Sequence, residues 1–296
     1  MAIAAFRDLW LYRAMPKEAD LLTRGDFRGI AKALAETSSL RHAERVADKL
    51  WLNRGTIIIA TGFFVRGRPE TDGPIGAAAL ARALTATHAR VVLVSRADCL
   101  RLLEGICDFE VTLAEFPVQN AARSAAHAKR ILQKFNPLAL VAIEACGPNR
   151  FGRYWNMRGH DISKTTPRMD LLFSLALKQG RYTVGIGDGG NEIGFGNVPA
   201  AFLKKLGVEP CLTRTTDLVT AAISNWGAYA LVYQLSRLAG RDLLPGLRAE
   251  RARIRSLVAK GAVDGPSARP IAKVDGRSLE QHEWLLRQLR GDLKRR

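Results

Sequence analysis

The sequence predicts an α/β fold: a mostly parallel sheet with helices on both faces, a helical N-terminal flank and a helical C-terminal extension. Short runs of apolar and β-branched residues alternate with alanine- and leucine-rich segments of helical length, which is the pattern of β-α-β units. The runs are apolar at nearly every position, as strands covered on both faces must be. We therefore expect a mostly parallel sheet.

The same pattern places the individual elements along the chain. Strands are expected at residues 56–61, 90–95, 138–144 and 182–187, with a weaker one near 109–113. Helices are expected at residues 74–87, 119–134, 169–179, 220–239 and 278–290. Pro74 supports the start of the first of these helices, because proline is favoured in the first turn.

The chain divides into three parts in this interpretation. Residues 1–52 form a helical flank or cap, residues 53–245 form the α/β catalytic domain, and residues 246–296 form a basic helical extension. Within the extension, residues 261–270 resemble a linker because they are rich in glycine and proline.

The composition excludes several classes of protein. The chain has 296 residues, of which 47% are hydrophobic and 25% charged, values that are typical of a globular protein. Its longest apolar runs are only as long as a strand, whereas a membrane-spanning helix needs about eighteen such residues. We expect a soluble protein without a membrane partner.

The cysteines and the N-terminus favour the cytoplasm. The four cysteines form no CxxC pair, so neither a zinc site nor a disulfide framework is indicated. Cys146 could act as a nucleophile beside Glu144, although a small residue closing a buried strand is the simpler interpretation. The N-terminus has some features of a transit peptide, but acidic residues interrupt it.

The formal charge of +17 is the one unusual bulk property. Residues 251–296 contain twelve lysines or arginines against five acidic residues, so much of the excess lies in the extension. A basic nucleic-acid-binding module is one explanation. We do not expect nucleic acid as the main partner, because the sequence has no recognisable nucleic-acid-binding motif and no interleaved aromatic residues.

Three polar, glycine-rich loops follow three of the predicted strands, at residues 61–74, 147–163 and 185–194. In open parallel sheets, ligands bind beyond the carboxyl ends of the strands, where such loops converge. Glu70 and Asp72 in the first loop could simply cap the following helix. Glu144 ends the third strong strand at the rim of the core, where a carboxylate needs a cation.

The acidic residues of these loops predict a metal ion. Five carboxylates could converge, which is more negative charge than a crevice tolerates without cations. They belong to Asp72, Glu144, Asp161, Asp188 and Glu192. Oxygen ligands of this kind suit Mg²⁺, Mn²⁺ or Ca²⁺ rather than zinc. We expect Glu144, Asp188 and Glu192 to hold the ion.

The third loop also matches the dinucleotide-binding pattern formally, through Gly185, Gly187 and Gly190. That pattern requires a helix directly after the loop, because the helix N-terminus binds the pyrophosphate. Here Gly194 and Pro199 interrupt the following turns. Neither a nicotinamide nor a flavin cofactor is expected.

Four motifs carry a resemblance to a known family. They are TGFxV from Thr61, ETDGPxGAAALARAL from Glu70, YxNMRGxDIS from Tyr154 and GIGDGGNEIGxGNV from Gly185. Together these motifs resemble the D-glutamate cyclase family, whose glutamate cyclase-like domain corresponds to about residues 56–240. The resemblance implies a hydro-lyase that closes D-glutamate into 5-oxo-D-proline with loss of water.

This chemistry assigns expected roles to the loop residues. The catalytic residues are Asp72 as the base, Asp161 as its reserve, and Asp188, which also binds the metal. Arg158 is expected to bind the α-carboxylate of the substrate. The expected substrate-binding residues are Thr61, Gly62, Thr71, Gly73, Asn156, Arg158, Gly189, Gly190 and Asn191. Backbone amides of the third loop could stabilise an oxyanion.

Two other functions stay open at this point. An acidic cluster with Mg²⁺ or Mn²⁺ would serve equally well in a metal-dependent hydrolase or phosphatase that acts on a small anionic substrate. The second is the basic nucleic-acid-binding module. Association into a homo-oligomer is compatible with either function.

Overall fold

The computed structural model describes residues 21–52 and 55–295, and six parallel strands form its main sheet. The strands in chain order are β1 (Thr56–Thr61), the short β2 (Phe64–Val65) and β3 (Arg68–Pro69), β4 (Arg90–Ser95), β5 (Thr112–Glu115), β6 (Ala139–Ile143), β7 (Tyr182–Gly187) and β8 (Asp217–Thr220). The order in the sheet is β5-β4-β1-β6-β7-β8, while β2 and β3 pair as a separate hairpin. The predicted parallel sheet is confirmed.

Helices cover both faces of this sheet, which confirms the predicted α/β class. The described helices are α1 (Ile30–Ala33), α2 (Leu40–Leu52), α3 (Pro74–Ala86), α4 (Ala97–Glu104), α5 (Ala121–Phe135), α6 (Asp170–Lys178), α7 (Ala200–Lys205), α8 (Ser224–Ala239), α9 (Leu247–Ala259) and α10 (Leu279–Leu293). Helices α5 and α6 pack on one face, where Ile58 and Leu140 belong to their cluster. Helices α2, α3, α8, α9 and α10 share the larger cluster on the other face, with Ile57 and Val141.

The sequence prediction misses the hairpin of β2 and β3, the helices α4 and α7 and the strand β8, and it misplaces β5. Residues 217–220 form an edge strand, so α8 begins at Ser224 rather than at residue 220. The two elements run together in the sequence because apolar residues continue between them, without a proline or glycine to mark the boundary. Helix α4 was not predicted, and β5 lies at Thr112–Glu115 rather than near 109–113.

The flank and the extension pack into the same core as the central sheet. Leu22 and Val46 from the flank share the larger cluster with Leu286 from the extension. The segment 261–270, which was expected to be a linker, is hydrogen-bonded to the loop after β1. The amide of Val263 donates to the carbonyl of Pro69 at 3.0 Å, and the amide of Thr71 donates to the carbonyl of Val263 at 3.0 Å. The extension is therefore fixed against the loops at the carboxyl edge of the sheet.

Much of the positive charge in the extension is neutralised locally. Arg251 pairs with Glu283 at 2.7 Å, and Arg290 pairs with Asp242 at 2.6 Å. Such pairs on a partly exposed surface contribute little stability, but they lower the net positive charge of the extension. None of the helices in the described ranges is long and apolar enough to cross a membrane.

Helices α3 and α8 begin side by side and cap each other. The Oδ1 atom of Asn225 on α8 accepts hydrogen bonds from the amides of Gly73 and Gly76, at 2.9 and 2.8 Å. In return, the carboxylate of Asp72 accepts from the amides of Ser224 and Asn225, at 2.9 and 2.8 Å. These bonds satisfy amides that a helix leaves free in its first turn. They also fix the Asp72 carboxylate at the carboxyl edge of the sheet.

The buried His282 predicts how stability depends on pH. Its Nε2 atom lies 2.8 Å from the hydroxyl of Tyr229, and burial lowers its pKa to about 3. The unfolded chain binds this proton near pH 6.5, whereas the folded protein does not, so the stabilising contribution is lost as the pH falls from about 6.5 towards 3.

We expect the free energy of unfolding of His282→Gln to fall less steeply between pH 7 and pH 5 than that of the wild type. The difference should approach about 1.4 kcal/mol per pH unit, which corresponds to one proton. Urea unfolding at several pH values measures it, with the exposed His88→Asn as the control. Equal slopes for His282→Gln and the wild type would contradict the prediction.

Candidate active site

A pocket of about 330 Å³ opens at the carboxyl edge of the sheet. All three predicted loops contribute to its wall, as do the flank and the extension. The lining residues are Phe27, Arg28, Phe63, Val65, Glu70, Asp72, Glu144, Asn156, Met157, Arg158, Asp188, Asn191, Gly265, Pro266 and Asp275. The loops therefore converge beyond the strands, where parallel sheets commonly bind their ligands.

Three buried carboxylates lie together in this pocket. Each of Asp72, Glu144 and Asp188 has an oxygen atom within 4.8 Å of the others. They follow β1, β6 and β7, which are neighbours in the sheet, so the order of the strands brings them together. Three carboxylate ligands could hold a divalent cation of the hard type that prefers oxygen. We call them the carboxylate triad.

The triad differs from the predicted metal ligands by one member. Asp72, which was expected to act as the base, stands where Glu192 was expected. The Oε1 atom of Glu192 instead accepts hydrogen bonds from the amides of Gly189 and Asp188, at 2.7 and 3.3 Å. These amides were expected to be free for an oxyanion, but the carboxylate of their own loop occupies them.

The conformation of Glu144 depends on a close neighbour. Its φ angle of 47° lies in the left-handed region, which is uncommon for a residue other than glycine. A Cβ atom on Gly73 would lie 2.7 Å from the Cβ of Glu144, so only glycine fits at position 73. The hydroxyl of Ser224 donates a hydrogen bond to Glu144 Oε2. The strained backbone and the close glycine aim this carboxylate at the other two.

Burial raises the pKa of every carboxylate in the triad. It raises the pKa of Asp72 to about 7, with a further contribution from Asp275. The pKa of Glu144 lies well above its usual range because of burial and, next, because of the negative charges of Asp188 and Glu192. Protons therefore compete with any cation for this site near neutral pH.

Glu70 is a site residue, although the sequence alone was equally compatible with a role as a helix cap. It is buried and lines the pocket together with Glu144. Burial raises its pKa well above the usual range, and the charge of Asp72 adds to the effect. A carboxyl group with a raised pKa holds its proton at a higher pH than usual. Glu70 can therefore carry a proton at the edge of the triad.

Arg28 and Asp275 are site residues that the sequence analysis missed. Arg28 lies in the flank, and its Nη1 atom is 2.9 Å from Asp188 Oδ1. The same guanidinium binds both oxygens of Asp275 in the extension, at 3.0 and 2.8 Å. Although burial lowers the pKa of Arg28, the charges of Asp188 and Asp275 outweigh it and keep the group protonated. No local motif marks either residue, because they lie about 250 positions apart.

The structure places Asn156 and Arg158 at the mouth of the pocket. Asn156 Oδ1 accepts from the amide of Arg158 at 2.9 Å and so fixes this turn. The guanidinium of Arg158 donates to the carbonyl of Pro266, and Arg158 is exposed at the rim of the pocket. Asp161 is not brought into the pocket: it is 41% exposed and pairs with Arg153 at 3.0 Å. The expected reserve base therefore lies on the surface.

Four predicted substrate-binding residues at the end of β1 and in the loop after it do not line the pocket. Gly62, with φ 118°, lies against the hydroxyl of Ser95, and Gly73 packs on Glu144. The hydroxyl of Thr71 donates to the carbonyl of Lys273 at 2.7 Å, which ties the loop to the extension. Thr61 Oγ1 is buried without a partner among the residues described.

The third loop contributes side chains rather than glycines. Asn191 lines the pocket, while Gly190, with φ 88°, packs against Val208. A Cβ atom on Gly189 would lie 2.7 Å from Asn191 Oδ1, so this glycine leaves room for the amide. Cys146 is buried, and burial raises the pKa of its thiol well above the usual range, which favours the structural interpretation over a nucleophile.

Neutralising one member of the triad should stabilise the metal-free protein. We expect Glu144→Gln to raise the free energy of unfolding by about 1–3 kcal/mol, because a buried carboxyl group must either keep its charge beside Asp188 or take up a proton, and glutamine does neither. Addition of Mn²⁺ should raise the melting temperature of the wild type but not that of the variant. Thermal unfolding with and without the metal tests this, with the exposed Glu110→Gln as the control. Equal stabilisation of Glu144→Gln by Mn²⁺ would exclude Glu144 as a ligand.

Removing Arg28 should have the opposite effect. We expect Arg28→Gln to cost about 3–5 kcal/mol at pH 7.5, because it leaves Asp188 and Asp275 as buried, unpaired charges. The loss should be smaller at pH 5.5, where protonation relieves the repulsion. The exposed Arg153→Gln should change the stability by less than about 1 kcal/mol. Urea unfolding at both pH values measures these differences. An equal loss of unfolding free energy at pH 7.5 and pH 5.5 would argue against charge repulsion as its cause.

Comparison with known proteins places this site in a family. The family model described as "D-glutamate cyclase-like, C-terminal" matches residues 18–290, which include Arg28 and Asp275. The human protein named "D-glutamate cyclase, mitochondrial" is 34% identical over 200 residues, which cover 61% of this chain and 32% of that protein. The chain therefore spans about a third of the length of this relative, and the cytoplasmic location stays a prediction. The chain belongs to the family of D-glutamate cyclase-like C-terminal domains.

Proposed function

We propose that this protein is a hydro-lyase that cyclises D-glutamate to 5-oxo-D-proline with a bound divalent metal ion, Mg²⁺ or Mn²⁺. The observation that carries the proposal is the buried carboxylate triad, which lies in a pocket built from all three family motif loops. The family and the name of the human relative supply the substrate and its stereochemistry.

The reaction forms one C–N bond and releases one water molecule. The amino group attacks the carbon of the γ-carboxyl group, and one oxygen of that group leaves. The substrate ammonium gives up two of its three protons, and both leave in the water with that oxygen. The site must therefore remove protons from nitrogen, return protons to oxygen and stabilise negative charge on the γ-carboxyl group.

The residues present fit a hard divalent cation. Asp72, Glu144 and Asp188 would hold it, and their repulsion in a buried pocket is relieved when a cation binds. When bound, such an ion neutralises the γ-carboxylate and stabilises the charge that develops on its oxygens. The ion pair with Arg28 keeps Asp188 in place beside the triad.

Glu70 is the proposed proton carrier, in place of Asp72. Both oxygens of Asp72 accept hydrogen bonds from backbone amides and Asp72 belongs to the triad, so it is poorly placed to take a substrate proton. Glu70 stands outside the triad, lines the pocket together with Glu144 and has a pKa that burial raises well above the usual range. It can accept a proton from the amine and return it to the leaving oxygen.

Arg158 is the proposed partner of the α-carboxylate. Its guanidinium lies at the rim and has a single recorded hydrogen bond, to the carbonyl of Pro266, within the described part of the chain. Arg28 is less available, because Asp188 and Asp275 already bind it. A carboxylate held at the rim would direct the side chain of the substrate towards the triad.

One assay tests the proposed function most directly. The purified protein is incubated with D- or L-glutamate after treatment with a chelator, with and without added Mn²⁺ or Mg²⁺, and 5-oxoproline is measured by chromatography. We expect product from D-glutamate only when the metal is present. Phosphate release from phosphate esters without 5-oxoproline would favour the metal-dependent hydrolase instead.

We expect Asp188→Asn to lower kcat at least about 100-fold while the protein stays folded, because the triad loses a charged ligand. The control is Asp108→Asn, which changes an exposed carboxylate that pairs with Arg82 on the surface. Circular dichroism confirms folding, and product formation is measured at saturating metal. A fully active Asp188→Asn variant that needs no metal would refute the assignment.

A further inference from the structure

The side-chain amide of Asn191 has a fixed orientation and an unused acceptor. Its Nδ2 atom donates to the backbone carbonyl of Trp155 at 2.8 Å. A carbonyl can only accept, so the nitrogen must face Trp155 and the oxygen must point the other way. Asn191 is 4% exposed, and its Oδ1 atom is buried without a partner in the described structure.

The residue that carries the unused oxygen lines the pocket. Asn191 and Met157 both line the pocket, and their side chains lie beside Gly189. A Cβ atom on Gly189 would lie 2.7 Å from Asn191 Oδ1 and 2.9 Å from Met157 Sδ. Leaving a buried acceptor unpaired costs about 1–3 kcal/mol, which a ligand that donates a hydrogen bond recovers. The Oδ1 atom can therefore accept a hydrogen bond from a ligand.

The chemistry of the wall indicates which donor. The pocket presents the carboxylates of Glu70, Asp72, Glu144, Asp188 and Asp275, and Arg28 is already bound to two of them. An acceptor-rich, negatively charged wall attracts a group with positive charge and N–H donors.

We infer that Asn191 Oδ1 binds the primary amino group of the ligand, so that the pocket selects amines over otherwise identical acids. The inference rests on the proposed function in that it assigns the nucleophilic nitrogen of the substrate to this atom. An N–H held on Oδ1 fixes the direction of the nitrogen lone pair, which must face the carbon of the γ-carboxyl group for ring closure. Gly189 is required beside it because any larger residue would cover the oxygen.

The test compares D-glutamate with glutarate, which lacks only the amino group. If D-glutamate is turned over, its KM and the competitive inhibition constant of glutarate give the two affinities. If it is not, calorimetry measures both dissociation constants directly. We expect the wild type to prefer D-glutamate about 10-fold or more, the effect of one hydrogen bond from a charged donor.

In Asn191→Ala this preference should shrink to within about 3-fold of parity, while the affinity for glutarate changes little. Gly189→Ala should lower it as well, and serves if Asn191→Ala does not fold. The control is Asn197→Ala, which removes an amide whose Nδ2 and Oδ1 bond to Thr215, at 2.9 and 3.2 Å. We expect this control to keep the preference.

Equal weakening of both ligands in Asn191→Ala would overturn the inference, because it would indicate a structural role only. So would a loss of Mn²⁺ affinity in the ligand-free variant, since the oxygen would then face the metal. An amine preference that depends on Asn191, without any 5-oxoproline from D-glutamate, would support the inference and overturn the proposed function.

Discussion

The structure depends on the placement of several buried carboxylates at one edge of the sheet. Asp72, Glu144 and Asp188 converge there, with Glu70 and Asp275 in the same pocket. Such a cluster is unfavourable unless positive charge or protons compensate it, because the interior screens charges poorly. The fold supplies one compensating charge, Arg28, and the raised pKa values show that protons supply more. A divalent cation is the remaining means of compensation.

This requirement explains why distant parts of the chain meet at the pocket. Arg28 comes from the flank and Asp275 from the extension, and their bidentate ion pair joins the two ends of the described chain across the site. The mutual capping of α3 and α8 by Asp72 and Asn225 fixes the carboxylate that follows β1. The flank and extension therefore form the wall of the site as well as covering the core. The family match from residue 18 to residue 290 includes both.

The fold and the three loops could be predicted because their signals are local. A continuous apolar run such as residues 56–61 can hardly be anything but a buried strand, and the carboxyl ends of parallel strands share one edge. The part of the pocket wall that comes from the flank and the extension could not be predicted in the same way. The roles of Arg28 and Asp275 depend on how the two ends of the chain pack, and no spacing in the sequence encodes that distance. Asp72 and Glu192 were both recognised as candidates. Only the side-chain geometry shows that Asp72 belongs to the triad, whereas Glu192 accepts hydrogen bonds from its own loop. Whether a loop glycine such as Gly73 supports a neighbour or touches a ligand is likewise a matter of packing.

We propose that the triad binds one divalent cation in place of protons. Calorimetric titration of the metal-free protein with Mn²⁺ at pH 7, in two buffers of different ionisation enthalpy, measures both the number of ions bound and the number of protons released. The account predicts one ion per chain and a net release of protons, because the carboxylates that bind the ion have raised pKa values before it arrives. The absence of saturable binding, or binding without proton release, would contradict it.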